Sequence, residues 1–140
     1  MEKQKNTKCI LRKLKRNMEL SEDFLGNITN KFENILAVIP NDLRKIVVFP
    51  TNAESGLYCK IRISKDSKLD ESFFTALRER LAKFQLKTLY TTGVCYSKQE
   101  CYWEGVFEYY KEFPLQKFKR SLENIGSAKD ITLDVLKIIE

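Results

Sequence analysis

Residues Glu100–Tyr110, ECYWEGVFEYY, bring five aromatic side chains and three glutamates into one short run. Aromatic rings on a strand can stack nucleobases, and carboxylates at close spacing, here Glu104 and Glu108, can do acid–base work. Rings that alternate along a strand also simply build a core face. Other residue types narrow the choice. With no histidine in the chain there is neither a Ser-His nor a Cys-His pair. Cys9, Cys59, Cys95 and Cys101 form no C-x-x-C, so the usual zinc ligand sets are nearly excluded. The glycines at 26, 56, 93, 105 and 126 match neither a phosphate-binding loop nor a dinucleotide fingerprint. The expectation is a non-enzymatic protein without metal or cofactor. Cys95 and Cys101 either pair across strands, as a disulfide or redox switch, or stay reduced as small apolar core residues, and the core reading is preferred.

Charge adds a second constellation. The net charge of +6 sits in the first sixteen residues, where Lys3, Lys5, Lys8, Arg12, Lys13, Lys15 and Arg16 face only Glu2. The rest of the chain is balanced. Residues 1–20 therefore read as a basic arm before one domain at 21–140. Its stretch from Lys8 to Met18 has Leu11, Leu14 and Met18 on one side of a helix. Lys8, Arg12, Lys13, Lys15 and Arg16 supply cations for nucleic acid or an anionic surface, unless the arm is simply solvated. No apolar run approaches the roughly 20 residues of a membrane span, which points to a soluble cytoplasmic protein with reduced thiols and no membrane partner.

The elements that must position these residues follow from local patterns. Ser21–Ile39 carries apolar residues at helical spacing, with Ser21 as N-cap and Pro40 as stop. A short strand is expected over Lys45–Phe49. Leu57–Ser64 alternates, with Leu57, Cys59, Ile61 and Ile63 on one face and Tyr58, Lys60 and Arg62 on the other. Asp70 caps a helix whose stripe is Phe73, Phe74, Leu77, Leu81 and Phe84, with Leu69 and Phe74 as a hydrophobic staple. A hairpin joins Lys87–Tyr96 to Cys101–Tyr110. Pro114 opens a helix with Leu115, Phe118, Leu122 and Ile125 inward and Gly126 as its left-handed stop. Ile131–Ile138 is the last strand.

This order predicts an α+β fold, a ferredoxin-like β-α-β-β-α-β sandwich with an added N-terminal helix and a short extra strand. With a three-residue turn, Cys95 faces Cys101; a two-residue turn shifts the register. Trp103, Gly105, Phe107 and Tyr109 then share one face, while Tyr102, Glu104, Glu108 and Tyr110 share the other. Lys60 and Arg62 meet Glu104 and Glu108 on an open, charge-balanced sheet face. Glutamates where phosphates would pass disfavour nucleobase stacking there. Tyr58, Lys60, Arg62, Tyr102, Glu104 and Glu108 are instead expected to be covered, by a protein partner or by the N-terminal helix.

Residues 56–138, from Gly56-Leu-Tyr-Cys-Lys-Ile-Arg-Ile-Ser64 through the loop Lys65-Asp-Ser-Lys-Leu69 to the two helices and hairpin, resemble an ACT regulatory domain. The resemblance implies a regulatory module that binds an amino acid or other small effector beside the first strand and its following loop. It also implies a homodimer paired through the sheet. Asp66 stands where such loops carry an aspartate, and Ser67, followed by Lys68, replaces their Pro-Gly. A nucleic-acid binder using the basic arm is the alternative.

Overall fold

The computed structural model describes residues 7–14, 31–40, 44–64 and 70–139 of the 140-residue chain. Seven strands are present: β1 (Lys8–Lys13), β2 (Asn34–Ile39), β3 (Val47–Thr51), β4 (Ser55–Ile63), β5 (Thr88–Ser97), β6 (Glu100–Tyr109) and β7 (Ala128–Ile139). The two helices among the described residues are α1 (Glu71–Lys83) and α2 (Leu115–Glu123). The strands form one mixed sheet in the order β3-β2-β1-β7-β4-β6-β5.

This overturns the expected ferredoxin-like sandwich with an added N-terminal helix. Strand makes up 53% of the described residues, and the sheet has seven strands. The physical reason lies at the N-terminal end. Asn34–Ile39, expected to close a helix, is strand β2, and Lys8–Lys13, expected in an arm helix, is strand β1. Ser21, the expected helix N-cap, lies outside the described residues. The two strands pair antiparallel over six residues, from Lys8 opposite Ile39 to Lys13 opposite Asn34. A short buried apolar run looks alike as helix or strand by periodicity. Here β-branched Ile35, Val38 and Ile39 favour the strand, as does Pro40, which pushes its predecessor toward extended backbone.

The chain divides into two compact units. The first holds Met1–Gly56 and Leu136–Glu140. Among the described residues its buried hydrophobic side chains are Leu11, Leu36 and Val38 on one sheet face and Ile35 on the other, and Asn34 and Thr51 are buried polar residues. β1 also lies parallel to the end of β7, with Leu11 opposite Ile138. The turn before β4 is held by side-chain amides: Asn34 Nδ2 donates to the Ala53 carbonyl at 2.9 Å, and Asn52 Oδ1 accepts from Glu33 N–H at 2.9 Å. These bonds satisfy backbone groups that would otherwise be unpaired in a tight loop.

The second unit, Leu57–Val135, holds the main core. Leu57, Cys59, Ile61 and Ile63 of β4 meet Trp103 and Phe107 of β6 under Phe73 and Leu77 of α1 and Phe118 and Leu122 of α2. Here the periodic reading holds. Asp70 is the N-cap of α1, its Oδ1 accepting from Phe73 N–H at 3.0 Å. Leu69, its expected staple partner, lies outside the described residues.

Two helix ends differ from expectation. Pro114 precedes the first turn of α2 as its cap residue, and Gly126 does not adopt a left-handed backbone. The left-handed position instead follows α1, at Gln85 with φ 52°. There Gln85 N–H donates to the Ala82 carbonyl at 3.1 Å and Leu86 N–H to the Leu81 carbonyl at 3.3 Å. This Schellman closure places glutamine where glycine is preferred. Relief of about 1–2 kcal/mol of left-handed strain outweighs glycine's entropy cost of roughly 0.5–1 kcal/mol. Gln85→Gly is therefore expected to raise the unfolding free energy by up to about 1 kcal/mol, read as a higher denaturant midpoint at unchanged slope.

Candidate functional site

The second face of β4 and β6 is where the sequence placed a partner surface. Tyr58, Tyr102 and Glu104 project there, yet their exposures are only 8%, 5% and 5%. The expected open face is therefore buried at these three residues, while Lys60, Arg62 and Glu108 remain part-exposed. Tyr58 O–H donates to Glu104 Oε2, so the carboxylate is held by a hydrogen bond, as a buried acid requires. Lys60 Nζ stands 4.4 Å from the centroid of the Tyr102 ring, and Tyr102 meets Tyr96 edge-on at 5.7 Å.

The expected ladder of Lys60 and Arg62 against Glu104 and Glu108 is not formed by these contacts. Arg62 Nε–H donates instead to Asp130 Oδ2 of β7 at 2.6 Å, with side chains 35% and 70% exposed. Such a surface pair contributes roughly 0–1 kcal/mol. Glu108 lies 3.7 Å from Lys87 Nζ. The rings of Tyr58 and Tyr102 are inside, which removes them as a stacking platform for bases. With Glu104 also buried, these three residues form a buried polar group on this face.

The hairpin resolves the cysteine question against the core reading. Its turn has two residues, Lys98 and Gln99, with Ser97 opposite Glu100. A ladder irregularity between Cys95 and Ser97 takes up one residue and returns Cys95 to a place opposite Cys101. The two are joined in a disulfide. Cys59 is fully buried, and burial pushes its thiol pKa up.

A cleft of about 350 Å³ lies at the start of α1. Asp70, Ser72 and Arg80 line it from the α1 side and Asn124 and Ser127 from the segment after α2, with Phe73 and Ile125 as apolar wall. Arg80 Nε–H donates to the Ser121 carbonyl at 2.9 Å, and its Nη1–H donates to the Ala76 carbonyl at 2.9 Å. Carbonyl dipoles thus hold the guanidinium in place, and among the described residues no carboxylate pairs with it. With two N–H groups so engaged, the others of the planar guanidinium suit a carboxylate or similar anion. The sequence reading missed Arg80, although its place in the apolar stripe of α1, one turn before Phe84, was the available signal.

Asp66 and Ser67, the expected ligand residues, lie outside the described residues, in the segment that ends just before Asp70. Of the basic arm, Lys8, Arg12 and Lys13 have exposed side chains on β1. Lys15 and Arg16 lie outside the described residues. Among the described residues no helix is long and apolar enough to cross a membrane.

No protein-family model matches the chain, and no curated protein matches it in sequence. Among the solved structures that overlap it are three at low identity. A chain from the complex of the chemotaxis kinase CheA P2 domain with the response regulator CheY of Thermotoga maritima is 11% identical, with TM-score 0.45. That match covers 59% of this chain and 98% of the other. A formyltetrahydrofolate deformylase from Pseudomonas putida is 10% identical, with TM-score 0.44; 57% of this chain matches 28% of it. Prephenate dehydratase from Streptococcus mutans is 12% identical, with TM-score 0.43, covering 93% of this chain and 73% of the other. At these scores the overlaps are partial, and none carries a functional assignment.

Proposed function

We propose that the chain is a non-enzymatic, ACT-like regulatory module that binds a small effector in the α1 cleft and self-associates through the edge of its sheet. The observation that carries the reading is Arg80. It is an arginine without a carboxylate partner among the described residues, held by two backbone carbonyls in a concave site that Asp70 and Ser72 also line. An amino acid offers the carboxylate that this guanidinium would take.

The edge strand β5 supports the second half. Its ten residues, TLYTTGVCYS, include no charge and no proline. The other edge strand, β3, contains Pro50 and follows Arg44 and Lys45, residue types that discourage edge pairing. An uncharged strand can pair antiparallel with its own copy without like charges meeting.

Two measurements test these halves separately. Melting the chain with each common amino acid at millimolar concentration should find at least one that raises the melting temperature. A ligand at 100 times its dissociation constant stabilises by about 2.7 kcal/mol. The shift should vanish in Arg80→Gln, and no shift with any amino acid would reject the effector. Sedimentation at micromolar concentration should find a dimer that Thr91→Lys on β5 converts to monomer. A monomeric parent chain would reject the edge pairing while leaving the effector reading intact.

A further inference from the structure

Cys95 and Cys101 do not line the Arg80 cleft, and the surroundings of their disulfide are asymmetric. Cys95 lies exposed on the edge strand β5, whereas Cys101 is 7% exposed and belongs to the core cluster with Trp103 and Leu57. Beyond the bond toward the turn, the hairpin has one further ladder pair, Ser97 with Glu100, and the ladder is irregular between Cys95 and Ser97. The turn end of the hairpin is thus held by one backbone pair and one covalent link. We infer that Cys95–Cys101 is a reversible thiol–disulfide pair, opened by dithiol reductants through the exposed Cys95 sulfur and closed by disulfide oxidants.

The chemistry balances within those partners. A reductant thiolate attacks Cys95 Sγ, the Cys95–Cys101 bond breaks, and Cys101 leaves as a thiolate that takes up a proton. The second thiolate of the reductant attacks its own sulfur in the mixed disulfide and releases Cys95. Two electrons pass to the pair, and the reductant ends as a disulfide. Fraying of the short turn end supplies the water and proton that a buried Cys101 thiolate needs. Cys59, enclosed in the core with a raised thiol pKa, stays out of the exchange.

The test uses the full chain, folded, in buffers of reduced and oxidised dithiothreitol, with iodoacetamide trapping and peptide mapping. In oxidised buffer, Cys95 and Cys101 should take up no label. In reduced buffer both should be labelled while Cys59 is not, and amide exchange over residues 94–102 should speed up. Adding back oxidant before the alkylation step should restore protection. Two results would overturn the inference. One is full labelling of Cys95 and Cys101 in oxidised buffer, which means that the bond does not form. The other is protection in reduced buffer until denaturant is added, which means a structural link closed to exchange.

Discussion

Phe118→Ala is expected to lower the unfolding free energy by about 3–5 kcal/mol, the range for emptying a buried aromatic site. Phe118 is fully buried on α2 and meets Phe84 at 5.2 Å and Phe113 at 5.5 Å, both edge to face. Phe84 follows α1 directly, so this ring is the hub through which the two helices share one core. Its removal forfeits the burial of the ring and the two aromatic contacts. A cavity remains that α1 and α2 close only partly, because both also lie on β4 and β6. Phe118→Leu keeps most of the volume and should lose less. The check is chemical denaturation of both variants beside the parent, with the slope compared to confirm a two-state transition. A loss below about 1 kcal/mol for the alanine variant would mean that this cluster is not the joint between the helices.

Gly105→Ala is the second large effect, with an expected loss of about 1–3 kcal/mol from overpacking. Trp103, Gly105 and Phe107 alternate on the core face of β6, and the two rings lean together over the glycine with centroids 6.2 Å apart. A Cβ at 105 would meet Trp103 Cη2 and lie 2.8 Å from Phe107 Cζ. Both rings are enclosed, at 3% and 0% exposure, so neither can swing into solvent to make room. They would have to shift against β4 or α2. Gly105→Val should cost more than Gly105→Ala, an order opposite to strand propensity, in which valine is favoured. If valine at 105 is instead the more stable of the two, backbone preference outweighs ring packing and the proposed arrangement of Trp103 over Gly105 is wrong.

Local signals made the second unit readable. The Asp70 cap, the stripe of Phe73 and Leu77, the alternation in Leu57–Ile63 and the order of the hairpin and α2 all rest on interactions within a few residues. Asp70 reaches Phe73 N–H inside one turn, and alternation assigns faces whatever the partner strand is. Even the company of Trp103, Gly105 and Phe107 on one face followed from strand geometry alone. Lys8–Lys13 and Asn34–Ile39 were misread for the complementary reason. What makes them strands is each other and β7, and the spacing of their leucines and isoleucines fits a helix as well as a strand.

The candidate sites divide in the same way. Sequence alone determined the absence of histidine, the uncharged run of β5, the balance of charge outside the arm, and which side chains of β4 and β6 share a face. Tertiary structure decided which of those faces meets solvent. It buried Tyr58 and Glu104 as a bonded pair and sent Arg62 to Asp130 rather than to Glu104. It also placed Arg80 at a cleft among backbone carbonyls and, through one ladder irregularity beside Tyr96, set Cys95 against Cys101. Each of these outcomes depends on which neighbour a side chain finds across the sheet or between the helices. Neighbours distant along the chain are selected by packing the whole core, a choice that no local run of residues encodes.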